Sequence, residues 1–580
     1  MHVLLLCALL SAEAAPDLGP VDTRVDTRAA EAQAAEAKAT QARIEALIEG
    51  MSDSEKVAQL MVVGFSGTQV NRELEELIGE WHVGAVALFS RNIESPTQTR
   101  KLTQGIRGLA RGVPPFVAID QEGGIVVRLK QGVFILPSAM ALGATRSRAL
   151  AFLGGRALAS DLRALGISMN LAPVLDVNSN PANPVIGTRS IGERPELVAD
   201  LGTWFVRGQE EGGVVTVAKH FPGHGDTQTD SHFDLPQLPH NLERLKKLEF
   251  VPFKAAFAAG LDAVMTAHIA LPAVAEAPNL PATLSHRLLT TVLREDLGFS
   301  GLILTDGLEM RGIVEGEGIG EAAVKAILAG ADMVMVLWSK QDRQQVFDTL
   351  KTAYANGTIS KARMRASLRR ILATKERRGV MGPQVIATTD VQRMLHDQLA
   401  DEIAERAVTL VRSHGDLLPT TAKRVLVLEP EGQVGALLGA QDDVQMPVVP
   451  TRERRQHDVT AAIAKSANAD VIVAVAQNRY HVEVIRAVRE AVPTVPMIFV
   501  SMSSPYYLSL VPSADAYLCT YSSLPSAQRA LVKVLLGQRG TVGRLPVTIP
   551  GLYPYGAGVV EGSDADASLG SSKKFARTPK

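Results

Sequence analysis

The 580-residue sequence predicts a (β/α)8 barrel followed by a doubly wound α/β domain. Eight short apolar runs alternate with longer amphipathic segments between residue 51 and about residue 379. Five of those runs are followed at once by polar, titratable residues, as expected where strand C-termini share one face. Past residue 381 a second alternation of apolar runs and helical segments begins.

Residues 1–15 resemble a secretory leader: an apolar stretch over 3–10, then small residues including Ser11, Ala12, Ala14 and Ala15 before Pro16. The stretch is too short to span a bilayer, and its leading segment carries His2 but no Lys or Arg. The expected localisation is export, periplasmic or extracellular; a cytoplasmic protein follows if the segment is not a signal. Leu4-Leu5-Leu6-Cys7 also resembles a lipoprotein box, with Leu6 where a small residue belongs. A spacer over 16–50 repeats Val-Asp-Thr-Arg at 21–24 and 25–28. Its Ala/Glu/Gln-rich remainder favours a helix that enters the first domain near 44–48.

The barrel is expected over 51–385. Its apolar runs lie at 60–65, 83–89, 115–119, 167–174, 214–218, 262–267, 302–305 and 332–337. Helical periodicity occupies 72–78, 148–165, 195–211, 244–259, 284–296 and 318–329 between them. The second domain is expected over 386–560. A helix at 395–410 and a turn at 415–419 precede strands at 425–428, 471–475, 497–500 and 516–520, and helices at 460–467, 482–491 and 526–536 alternate with those strands. The Ser/Gly/Lys-rich stretch 561–580 has the composition of a disordered tail.

Composition narrows the function. The formal net charge of -1 gives no basic excess for a nucleic acid or an anionic membrane, so a neutral small-molecule substrate fits better. With Cys7 in the leader and Cys519 as its lone companion, the mature chain is expected to form no internal disulfide. No glycine-rich phosphate loop and no nucleotide fingerprint is present.

The run ends carry the chemistry. They are followed by Asp120-Gln-Glu-Gly-Gly124, by Leu175-Asp176, by Lys219-His220, by His268 and by Asp306-Gly-Leu-Glu-Met310. The densest stretch is the loop from Lys219 to His232, with three histidines, two aspartates and a lysine in fourteen positions. Residue types alone leave two chemistries open. One is hydrolysis at an acetal carbon, with an Asp attacking and a second group protonating the leaving oxygen. The other is metal-assisted hydrolysis using His220, His224, Asp226, Asp230, His232 or His268 as ligands.

The stretch Lys219-His-Phe-Pro-Gly-His-Gly-Asp-Thr-Gln-Thr-Asp-Ser-His232 resembles the signature of glycoside hydrolase family 3, in its β-N-acetylglucosaminidase branch. Asp120-Gln-Glu-Gly-Gly with Arg128, Leu171-Ala-Pro-Val-Leu-Asp-Val177, Gly187-Thr-Arg-Ser190 and Thr305-Asp-Gly-Leu-Glu-Met310 are similar to its other motifs, in its order. Two positions depart from the family's usual pattern, Ile125 in place of an arginine and Gly307 in place of an acidic or small polar residue.

The resemblance implies a barrel plus α/β sandwich. It implies Asp306 as the nucleophile and Asp230 with His232 as an acid/base dyad. Asp120, Arg128, Arg189, Lys219 and His220 would be ligands of the sugar, while His224 and Asp226 shape the loop. A histidine acid suits a neutral-pH step, its unperturbed pKa being about 6.5. The implied activity is a retaining exo-β-N-acetylglucosaminidase that needs no cofactor and no metal, acting on a small carbohydrate or muropeptide from peptidoglycan. Phosphorolysis or β-glucosidase activity is the alternative within the family. A metal-dependent hydrolase and a non-catalytic sugar-binding protein are the alternatives outside it.

Overall fold

The computed structural model describes residues 27–229, 234–310, 313, 318–382, 389–415, 417–430, 433–440, 442–446 and 452–560. The leader, Cys7, the tail 561–580, and the two residues Asp230 and His232 lie outside them. The Ala-rich stretch is helical over Thr27–Gly50, and its Ile44 and Ile48 are buried against the first domain.

Eight strands close a parallel barrel in chain order: β1 (Met61–Gly64), β2 (Ala85–Leu88), β3 (Phe116–Ile119), β4 (Met169–Asn170), β5 (Val215–Phe221), β6 (Ala263–Thr266), β7 (Leu302–Gly307) and β8 (Met333–Val336). Pairing of β1 with both β2 and β8 completes the ring. Their near-continuous Val, Ile, Leu and Ala content follows from burial on both faces, toward the barrel interior and toward the surrounding helices.

The expected strands all occur, with three differences. The fourth run shrinks to two paired residues, because Ala172-Pro173 follows and proline has no N–H for a ladder. By contrast β5 runs on through Lys219 and His220 to Phe221, with its pairing to β6 shifting between Ala218 and Phe221. β7 likewise continues through Asp306 to Gly307, with a shift against β8 between Leu304 and Gly307. Titratable residues expected in loops therefore sit on strand ends; Lys219 is tied to the segment after β4 by its N–H to Pro173 O (3.1 Å) and by Leu175 N–H to its own O (2.7 Å).

Helices fill the intervals. The stretch expected as one helix over 244–259 is two, Leu242–Lys247 and Phe250–Ala258. Pro252 explains the break, since proline fits a helix's first turn but not its interior. The segments Glu75–Glu80 and Arg287–Asp296 have the wider π-type hydrogen bonding.

The second sheet has the order β11-β10-β12-β13-β14-β9, formed by β9 (Thr409–Ser413), β10 (Val425–Pro430), β11 (Asp442–Met446), β12 (Val471–Ala476), β13 (Met497–Ser501) and β14 (Ala516–Cys519). All pairs are parallel except β14 with β9. Two strands were not expected. β9 directly follows the helix Asp390–Ala407, so one unbroken apolar pattern over 395–410 hides a change of element. β11 is an edge strand of polar composition, Asp-Asp-Val-Gln-Met.

The two units share buried surface. Met140, Ala141 and Ala144, from the helix Ala139–Thr145, pack in the core of the second sheet. Arg146 Nη2 donates to Leu545 O (2.8 Å), and the Glu193 carboxylate accepts from the Thr548 N–H and hydroxyl, both at 2.7 Å. Among the described residues no helix is long and apolar enough to cross a membrane.

Candidate active site

Because the barrel strands are parallel, their C-terminal ends open on one face. There a cleft of about 370 Å³ is lined by Asp120, Arg128, Arg189, Lys219, His220 and Asp306, all six expected site residues that are described. They come from positions spread over 120–306, and all lining residues fall within 89–338. Asp230 and His232 lie outside the described residues.

One wall is a buried ladder of charges. Lys219 Nζ lies 2.7 Å from Asp120 Oδ1 and 2.7 Å from Glu122 Oε1. Arg189 grips Glu122 with both forks, Nε to Oε2 and Nη2 to Oε1, each at 2.9 Å. Arg128 Nη2 stands 3.6 Å from Asp120 Oδ2. Burial opposes charge in Glu122, Arg189 and Lys219, but the partners win: Arg189 and Lys219 hold the Glu122 carboxyl well below the ordinary carboxylate range. Burial likewise lowers the Lys219 pKa, yet Asp120 and Glu122 raise it above its ordinary value. Lys219 and Arg189 are thus fixed cations, and removing either partner from such a buried pair typically costs about 3–5 kcal/mol.

Behind this wall stands Asp176. Its Oδ2 is 2.7 Å from His220 Nδ1, and its carboxylate also accepts the backbone N–H groups of His220 (3.2 Å) and His224 (2.7 Å). Burial alone would raise its pKa, but His220 and the other donors bring it below the ordinary value. An ionised Asp176 accepts and cannot donate, so His220 carries its proton on Nδ1 and turns Nε2 to the cleft, 3.4 Å from Arg189 Nη2. Burial and the neighbouring His220 push His224 down to about 4, so it is neutral at pH 7; its Nδ1 meets the Thr227 hydroxyl at 2.8 Å. Asp226 points elsewhere, to His240 Nε2 at 2.7 Å.

Asp306 occupies the opposite wall. Gly307 N donates to its Oδ1 at 2.7 Å, and Oδ2 has no hydrogen-bond partner among the described residues. Although burial pushes its pKa up, His268, His220, the Gly307 N–H and Lys219 outweigh it and hold Asp306 below its ordinary value. It is an anion at neutral pH, with a free pair of electrons to offer and no proton to donate. His268 braces this wall by bonding Gly307 O (2.9 Å) and the Thr283 hydroxyl (2.8 Å).

Glu122 and Asp176 are site groups to which the sequence assigns no role. Both lie at the strand ends it singled out, and that position is the signal that could have found them. Among the described residues no three His, Cys, Asp or Glu side chains are grouped so as to hold a metal ion. Cys519 is free and buried in the second sheet, far in sequence from every lining residue.

The model of the glycosyl hydrolase family 3 N-terminal domain matches residues 53–374, the part of the chain that holds the cleft. The chain belongs to glycosyl hydrolase family 3. It is accordingly a glycoside hydrolase, and the barrel with its α/β companion is the architecture of a two-domain family 3 member. Beta-hexosaminidase A of Pseudoalteromonas piscicida is 30% identical over 550 residues, covering 83% of this chain and 92% of that protein. A beta-N-acetylglucosaminidase/beta-glucosidase of Cellulomonas fimi is 29% identical over 542 residues, 86% of this chain and 94% of its own length. The solved family 3 beta-N-acetylglucosaminidase from Paenibacillus sp. str. FPU-7 superposes with a TM-score of 0.81 at 39% identity, over 86% of this chain and 99% of that one.

Proposed function

We propose that this family 3 chain is a retaining exo-β-N-acetylglucosaminidase that removes terminal β-linked GlcNAc from small carbohydrates, peptidoglycan fragments among them. The observation that carries the reading is Asp306, an ionised carboxylate whose Oδ2 has no hydrogen-bond partner among the described residues, facing the charged wall of Asp120, Lys219, Glu122 and Arg189 across one cleft. That wall suits an uncharged, hydroxyl-rich ring, because its fixed donors and acceptors replace water without reorganising. The hexosaminidase relatives favour GlcNAc as that ring.

In the proposed double displacement, Asp306 Oδ2 forms a bond to the anomeric carbon as the bond to the leaving oxygen breaks. His232, paired with Asp230, gives that oxygen its proton. The imidazole then takes a proton from water, which attacks the same carbon and frees Asp306. Asp120, Arg128, Arg189, Lys219 and His220 hold the sugar meanwhile. The nucleophile and the proton donor are both side chains, so the route needs no cofactor.

Export by way of the leader would bring the enzyme to peptidoglycan fragments, and mass measurement of the mature N-terminus tests it. The Cellulomonas relative's double name makes β-glucoside hydrolysis the second reading. Release of nitrophenol from aryl β-GlcNAc and aryl β-glucoside, with chelator present, separates the two. The expected result is a strong GlcNAc preference, unaffected by phosphate and lost by at least about 1000-fold in Asp306→Ala. Glucoside preference, phosphate-stimulated sugar-phosphate release, or an active Asp306→Ala would each contradict the reading.

A further inference from the structure

Trp338 follows Leu337 just past β8 and lines the cleft that holds Asp306, yet 60% of its surface is exposed. It is the one aromatic among the exposed large apolar side chains of the described residues. Loose exposed tryptophans are common enough on protein surfaces, but this one is held from three sides. The Arg91 guanidinium lies 4.3 Å from its ring centroid and 4.8 Å from that of Phe89. Arg91 is itself fixed, with Nε donating to Phe65 O (2.9 Å) and Nη2 to Leu337 O (2.8 Å). Phe89 meets Trp338 at 4.6 Å between centroids. Below, Glu309 Oε1 accepts the backbone N–H groups of Leu337 (2.5 Å) and Trp338 (2.8 Å).

Residues that follow β1, β2, β7 and β8 therefore converge to immobilise a ring whose surface stays in water. Cation–π contact and ring packing remove the side chain's freedom before any ligand arrives, which lowers the cost of binding one. The charged inner wall offers hydrogen bonds to hydroxyls, whereas the C–H face of a second ring calls for an apolar surface. An indole face supplies that surface.

We propose that Trp338 is the platform of a leaving-group subsite, where its exposed face stacks on the C–H face of the pyranose joined through the scissile oxygen to the sugar in the cleft. This rests on the glycosidase reading above. Arg91 and Glu309 act on it as positioning residues, through the ring and through the backbone.

The test compares kcat/KM of wild type, Trp338→Ala and Trp338→Phe on GlcNAc-β-1,4-GlcNAc and on β-GlcNAc fluoride, whose leaving group has no ring. Trp338→Ala is expected to lose about tenfold on the disaccharide and stay within about twofold on the fluoride, while Trp338→Phe recovers most of the loss. Equal losses on both substrates, or no loss on the disaccharide, would overturn the subsite. The same pair in the glucose series, cellobiose and glucosyl fluoride, keeps the two readings apart. A wild type that cleaves only the glucose pair refutes the GlcNAc reading, and the ratio within that pair still decides Trp338. A wild type that cleaves none of the four removes the glycosidase reading and the subsite with it.

Discussion

Asp176 does not line the cleft, yet it decides how His220 faces it. An Asn there has one acceptor oxygen where the carboxylate has two, so its amide NH2 must confront either the His220 Nδ1–H or the backbone N–H groups. Asp176→Asn is expected to lower kcat/KM for aryl β-GlcNAc by about 10- to 100-fold, with the fold intact by circular dichroism. Unchanged kinetics would remove the positioning role. The sequence made Asp120, Lys219, His220 and Asp306 legible because each is a titratable residue at the end of an apolar run. It could not show that Glu122 meets Arg189 across a separation of 67 positions, or that Asp176 meets His220 across 44. Those pairings depend on the barrel bringing neighbouring strand ends together.

At the scale of elements, apolar runs marked the strands well and their ends poorly. β5 and β7 continue into charged residues because hydrogen bonds to neighbouring strands, not hydrophobicity, define where a strand stops. β9 and β11 escaped notice for related reasons, one joined to a helix without a break and one polar at a sheet edge. The loop after β5 is then pressed against the loop after β4. A Cβ on Gly225 would stand 1.8 Å from Val177 O, a distance no packing tolerates. Gly225→Ala must push these loops apart, together with the His224 N–H that Asp176 holds. Overpacking of this kind costs about 1–3 kcal/mol. A lower Tm and a kcat reduced at least about tenfold are expected, and a variant matching wild type in both would show that the loops are loosely set.

Across the whole molecule the barrel divides its work by face. The C-terminal ends carry the cleft, while the N-terminal ends are locked to the helix Lys361–Arg377: Asp332 receives Ser367 Oγ (2.7 Å) and Arg370 Nη1 (3.1 Å), and Asp262 receives Arg377 Nη2 (2.7 Å). Within this base Lys375 is fully buried, its Nζ 2.9 Å from Gln59 Oε1, and burial pushes its pKa down to about 7. The unfolded chain, with an ordinary lysine near 10.5, binds the extra proton between about pH 7 and 10.5. Folding stability from this residue therefore rises with pH across that window and is lost as pH falls through it, by an amount of the order of a few kcal/mol. Lys375→Met is expected to raise Tm at pH 7 and to lose the advantage by pH 10. A gap that does not change with pH would contradict a neutral buried lysine.

The central claim is that Asp306 attacks the sugar, and trapping the intermediate tests it most directly. Incubation with 5-fluoro-β-GlcNAc fluoride, followed by peptide mass mapping, should show one stoichiometric adduct on Asp306, formed as activity is lost. Inactivation with the adduct on another residue, or turnover with no covalent species, would contradict the account.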